Sequence, residues 1–280
     1  MSLLWINGRL VDKADARVSP FDHGFLYGDG VWEPLRVFGG QLFRPREHLD
    51  LLFHAADALG IDIPLSGADL RAATEATVKA NNRTEGYVRV IVSRGPGTIG
   101  PDPRKIDPQV LIIAEEYQPF PAELYGHGLH VVTAPVPYGG FSPADVVRAL
   151  GRPLVVMAKT NALALGRLEA VLTDARGYVC GTTEGNLLGV RGGTLLRLPA
   201  WPEDVARGVV LELAAEAGIP TAEASLRTAE LAPLDEVFLA GTSCGVIAVA
   251  RVDGQDVGGG TEGPVTRMIR ERYRVLTRGE

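Results

Sequence analysis

Residues 148–166, RALGRPLVVMAKTNALALG, hold a single lysine, Lys159, and begin with an arginine, Arg148. The two cations do different chemistry. A neutral lysine amine is a nucleophile that condenses with a carbonyl and afterwards moves protons. A guanidinium stays protonated at any accessible pH. It makes no imine, but it clamps a carboxylate or phosphate through two parallel hydrogen bonds. Elsewhere Glu33, His48 and Tyr138 are of acid–base type. Arg89, Arg94 and Arg207 are anion-holding cations, Trp32 offers an aromatic wall, and Thr242-Ser243 is a pair of hydroxyls. Plainer readings stand beside these. Glu33, Arg89 and Arg94 suit scaffold ion pairs, His48 a satisfied helix residue, Trp32 a core position and Thr242-Ser243 a β-turn.

The elements that must position these groups follow from patterning. LWINGRLV is a hairpin around Asn7-Gly8, and VWEPLRVFGGQLFR repeats the device around Gly39-Gly40. EHLDLLFHAADALG has apolar residues at helical spacing, and SGADLRAATEATVKANN is a second helix with Ser66 as its cap. YVRVIVSRG and PQVLIIAEEY read as strands. After the Pro- and Gly-rich YQPFPAELYGHG comes a strand, LHVVTAPVP. A helix follows, opened by Pro153 and closed by Gly166. Its expected inward face is Leu154, Met157, Ala158, Asn161, Ala162 and Leu165, with Lys159 off its centre. Hairpins at EAVLTDARGYV and NLLGVRGGTLLRL, a helix over PEDVARGVVLELAAEAG, two strands and a final helix complete the chain. The pattern predicts an α+β fold: an N-terminal α/β domain over 1–118, a linker over 119–127 and a C-terminal mixed α/β domain over 128–280.

The chain has 280 residues, 46% of them hydrophobic, which is enough for a large core. A formal net charge of −6 argues against nucleic-acid binding. The basic run RMIRERYRVLTR reads as a helix with cations in its last turns. Two cysteines do not make a disulfide framework. With no charged-then-apolar leader and no run of membrane-span length, a soluble cytoplasmic protein is expected.

FDHGFLYGDGVWEPLRVFGG resembles the opening signature of the fold-type IV pyridoxal-phosphate (PLP) enzymes. These are the branched-chain and D-amino-acid aminotransferases and the aminodeoxychorismate lyases. The resemblance continues through REHLDLL, YVRVIVSRG, EGNLLGV, LDEVFLAGTSCGVIAV and DGQDVGGGTEGPVT, in the family's order. It implies a D-amino-acid-aminotransferase-like fold of two α/β domains with the active site between them. It also implies a homodimer, and PLP as cofactor.

The cofactor positions depart from the family's pattern. Leu51 stands where the family has a phosphate-gripping arginine three residues after His48. The family's Gly-Ile-Thr-Arg turn becomes Asp204-Val205-Ala206-Arg207, and an aspartate at a helix start caps the N–H groups that a phosphate uses. Thr242 and Ser243 keep the hydroxyl pair. Gly181 stands where the glutamate for the pyridine nitrogen belongs, and Glu184 comes three residues late. Aligned without gaps from the Gly177-Tyr178-Val179 hairpin, the Schiff-base lysine position falls on Arg148, and Lys159 falls in mid-helix. Four departures on one cofactor favour a protein that binds a small anionic metabolite without PLP. Arg148 would anchor the anion, aided by Arg89 and Arg94 beside Trp32. Two alternatives stay open. One is an active PLP-dependent aminotransferase or lyase that uses Lys159 and Glu184. The other is a non-catalytic subunit paired with an active paralogue.

Overall fold

The computed structural model describes residues 2–104, 106–139, 147–200 and 202–278. The chain divides into two compact units, residues 1–117 with 147–152, and residues 118–146 with 153–280. Strands and helices are mixed in both, giving an α+β fold.

The first unit holds β1 (Leu3–Ile6), β2 (Arg9–Asp12), α1 (His23–Tyr27), β3 (Gly30–Phe38), β4 (Gln41–Leu42), α2 (Pro45–Ala58), α3 (Gly67–Ala80), β5 (Gly86–Ser93) and β6 (Gln109–Glu115). Its strands form one sheet in the order β2-β1-β6-β5-β3-β4, antiparallel throughout. The hairpins turn at Asn7-Gly8 and Gly39-Gly40, where the sequence places them. Ser66 caps α3 by accepting the Asp69 N–H at 3.1 Å. Helix α2 buries His48, Leu49, Leu52, Ala55 and Ala56, a stripe at helical spacing. Leu35, Leu52, Leu70 and Ile112 are fully buried at the centre of this unit.

Residues 147–152 belong to this unit. They lie along β3, with the Trp32 N–H donating to the Arg148 carbonyl and the Leu150 N–H to the Gly30 carbonyl, both at 2.9 Å. The approach demands glycine at Gly28, where a Cβ would lie 2.7 Å from the Gly151 Cα. Arg148 is thereby fixed on the sheet that carries Trp32 and Glu33.

The second unit holds α4 (Leu124–His127), β7 (Leu129–Thr133), α5 (Pro153–Ala164), β8 (Glu169–Thr173), β9 (Val179–Thr182), β10 (Asn186–Arg191), β11 (Thr194–Arg197), α6 (Val205–Glu216), β12 (Thr221–Glu223), β13 (Glu236–Gly241), β14 (Gly245–Val252), β15 (Gln255–Asp256) and α7 (Pro264–Arg278). Its sheet runs β12-β11-β10-β13-β14-β7-β8-β9, with β15 paired to β14. The stretch 119–127 carries α4 here, and Phe120 lies in the core of this unit. The basic run forms α7, where Arg267 and Arg270 pair with the buried Glu262 at 3.2 and 2.6 Å.

Helix α5 starts at Pro153, but its inward face differs from the sequence expectation. Ala158 and Ala162 are buried, with Leu154 and Val155 packed beside them, whereas Met157 and Leu165 are exposed. PLVVMAKTNALA is apolar nearly all round, so its periodicity does not orient it, and packing on β8 decides. No helix among the described residues is long and apolar enough to cross a membrane.

Candidate functional site

Each unit gathers part of the candidate residues. In the second unit Lys159 leaves the side of α5 half-buried, 27% exposed. Its Nζ donates to the Leu168 carbonyl at 2.6 Å and lies 3.5 Å from Glu184 Oε1. The Phe120 ring centroid is 5.5 Å from the amine. Ser243 Oγ reaches the Glu184 carbonyl and Oε2, both at 3.1 Å. A lysine amine, a carboxylate, an aromatic face and a hydroxyl therefore share one locus. The sequence places Glu184 three residues beyond the expected carboxylate position, yet the loop after β9 brings it to the amine. Gly181 holds φ +147°, a conformation that side-chain-bearing residues rarely adopt. That backbone favours glycine at 181 over the carboxylate that the family pattern puts there.

Glu169, at the head of β8, completes this cluster and was not singled out in the sequence. It is fully buried. Burial pushes its carboxyl up to about 7, opposed by the Lys159 charge and the Thr183 hydroxyl bond and assisted by the Glu184 charge. In the sequence EAVLT shows only an apolar strand opened by a charge; in the fold every residue of it is buried.

At the start of α6, Asp204 is the N-cap, as its type suggests. Its Oδ1 accepts the Ala206 N–H at 2.9 Å and the Thr242 hydroxyl at 2.8 Å. Arg207 pairs with Glu203 at 2.6 Å and donates to the Leu198 carbonyl at 3.1 Å. Tyr138 is buried against Ala158 and Cys180 in a small cluster. Burial raises the Cys180 thiol to about 12 and the Cys244 thiol well above its ordinary range, so neither is a thiolate at neutral pH.

In the first unit Glu33 on β3 is buried between two partners. His48 Nδ1 on α2 is 2.7 Å from its Oε1, and Arg148 Nε is 3.1 Å from its Oε2. Trp32 carries three guanidiniums around its ring, with Arg89, Arg148 and Arg152 at 4.0, 5.4 and 5.6 Å from the centroid. Arg152 is the member that sequence reasoning missed. Arg94 is part of the scaffold: it forks onto Asp29 and donates to the Leu59 and Gly60 carbonyls. Leu51 is half-buried on α2. No group of three metal-ligating side chains is found among the described residues.

Residues 30–252 match the family model for amino-transferase class IV. A Methanocaldococcus jannaschii protein, assigned by name to the branched-chain-amino-acid aminotransferases, is 36% identical over 97% of this chain and 95% of its own length. Among solved structures, a T.th. branched-chain amino acid aminotransferase with pyridoxamine 5'-phosphate superposes with a TM-score of 0.92. It is 28% identical and covers 99% of this chain and 94% of its own. The 4-amino-4-deoxychorismate lyase of Pseudomonas aeruginosa superposes with a TM-score of 0.86 at 29% identity, covering 97% and 98%.

One sequence expectation is corrected by these findings. Replacement of the family's cofactor residues at Leu51, Arg148, Gly181 and Asp204 to Ala206 favoured a protein without PLP. A neighbour alike over almost the whole chain holds pyridoxamine 5'-phosphate, the amino form of that cofactor, and the comparisons give no support to a cofactor-free relative. The physical reason lies in the inference from position alone. The second unit holds an amine–carboxylate pair, Lys159 and Glu184, away from the positions that the linear pattern marks.

Proposed function

Because the chain belongs to the class IV aminotransferase family, we propose that it is an active PLP-dependent aminotransferase or aminodeoxychorismate-lyase-like enzyme whose reactive amine is Lys159. The carrying observation is the half-buried Lys159 amine 3.5 Å from Glu184. The chain has four lysines. Lys13 is exposed and paired with Glu115, Lys79 is exposed on α3, and Lys105 lies outside the described residues. Among the described lysines, Lys159 alone combines partial burial with a carboxylate and an aromatic neighbour.

The residues present fit the cofactor in kind. Lys159 offers the amine, and Glu184, 3.5 Å from it, would take up or return the proton of that amine; it is too near the amine to reach the ring nitrogen, which lies across the ring from the aldehyde carbon. Thr242, Ser243, Arg207 and the Ala206 N–H are of phosphate-donor type, and a phosphate would have to draw them from Asp204, Glu184 and Glu203, which now engage them. When bound, PLP supplies an electron sink for bonds at the amino-bearing carbon of a substrate. The chain's own part is to bind, orient and move protons. The Leu168 carbonyl directs the Lys159 Nζ, Phe120 shields one side of it, and the Glu184 carboxylate stabilises its ammonium form until a proton is released. A homodimer is the assembly that the family resemblance supports, and two unpaired cysteines suit a reducing cytoplasm.

The test is amine transfer from a panel of amino acids to a keto acid with added PLP, comparing the native chain with Lys159→Met. Transfer or elimination that disappears in the variant supports the reading. Activity retained in Lys159→Met, or none with any amino acid, refutes it.

A further inference from the structure

Glu169 is fully buried and lies within the field of the Lys159 charge, yet it has no place in the Lys159–Glu184 pair. Its Oε1 is saturated, accepting the Ala170 N–H at 2.7 Å, the Thr183 N–H at 2.9 Å and the Thr183 hydroxyl at 2.5 Å. Its Oε2 is buried with no hydrogen-bond partner among the described residues. An ionised oxygen in that position is costly, and a proton on it removes the charge. The surroundings point the same way. Lys159 is fastened to the carbonyl of Leu168, the residue before Glu169, and Thr183, which holds Glu169, immediately precedes Glu184. Glu184 already stands 3.5 Å from the amine, so Glu169 is a second carboxyl at the same locus.

We propose that Glu169 is a positioning residue that carries a proton on Oε2 in the resting cluster and, by losing or keeping it, sets the reactivity of the Lys159 amine. The role deepens the proposed function and rests on Lys159 being the reactive amine. Burial supports it by raising the Glu169 carboxyl. The charges facing Glu169 are Lys159 from α5 and Glu184 from the loop after β9. Cys244, which also feels the fields of Glu169, Glu184 and Asp204, stays a neutral thiol. With Glu169 protonated, Lys159 faces one carboxylate. With Glu169 ionised it faces two, is held more firmly as ammonium, and reacts more slowly.

Two measurements on the full chain without cofactor test the role. The first is a pH titration of the glutamate side-chain carboxyls by carbon-13 NMR. One glutamate resonance is expected to titrate near neutrality, to vanish in Glu169→Gln, and to move to higher pH in Lys159→Met, where the ammonium's attraction is gone. If Glu169→Gln does not fold, the comparison of the native chain with Lys159→Met still decides. Absence of such a resonance, or indifference to Lys159→Met, overturns the proposal. The second is labelling by a small neutral amine-acylating reagent above pH 8, read by peptide mass. Lys159 is expected to label about three- to tenfold faster in Glu169→Gln than in the native chain, with Lys79 unchanged as the internal control. Equal Lys159 rates overturn the proposal. Neither measurement uses PLP, so failure of Lys159 to support amine transfer removes the proposed function while leaving the Glu169–Lys159 coupling separately decided.

Discussion

Replacing Glu169 with glutamine is expected to flatten the fall of stability with pH. In the unfolded chain this carboxyl has its ordinary value of 4.5, and in the folded chain it is held at about 7. Between those values the folded state keeps a proton that the unfolded state has released. Stability therefore declines as pH rises through the window; the contribution is whole below about 4.5 and gone above about 7. A difference of this size is worth about 3 kcal/mol, and complete burial leaves no solvent screening to discount it. Glutamine can accept the same bonds from Ala170 and Thr183 through its oxygen, and it does not ionise. Urea denaturation at pH 4.5 and pH 8, at fixed protein concentration, reads the effect. The native chain should lose about 3 kcal/mol more than Glu169→Gln across that range, with equal denaturant slopes. Parallel pH profiles for the two proteins would refute the reasoning.

The other expectations are of the same kind. Arg148→Ala removes the guanidinium that lies 3.1 Å from the buried Glu33 carboxylate. It should cost about 3 kcal/mol in urea denaturation, and a loss below about 1 kcal/mol would show that the pair is not a structural one. Asp204→Ala deletes the cap of α6 and the Thr242 bond. It should cost about 1–2 kcal/mol, read from a far-ultraviolet melting curve. In the native chain Cys180 and Cys244 should resist a disulfide reagent at pH 8 and both react after denaturation; rapid reaction of either in the folded protein would contradict their burial.

Most of the architecture was legible in the sequence because local physics set it. Asn-Gly and Gly-Gly turns closed the first hairpins, Ser66 and Asp204 capped their helices, and the stripe on α2 lay at helical spacing. Helix α5 resisted because residues apolar on every side carry no directional information, and packing on β8 turned Met157 and Leu165 outward. The candidate site was half legible. The residue types were visible, but which carboxylate meets Lys159 depended on the path of a loop. The conformation at Gly181 and the three following residues bring Glu184 to the amine, and no spacing rule predicts that. Glu169 was hidden for another reason: a charge at the end of a strand usually faces water, and only the folded sheet shows that this one is sealed. Arg148 shows the reverse. As a residue type it suggested an anion anchor, whereas the fold gives it a Glu33 partner and a place beside Trp32.

The central claim, that Lys159 is the amine of a PLP enzyme, is tested most directly by incubating the purified chain with PLP, fixing the complex with borohydride and mapping the modified peptide. The account predicts a visible absorption band before reduction and a label on Lys159, both absent in Lys159→Met. A label confined to Lys13, Lys79 or Lys105, or no label at saturating PLP, would contradict it.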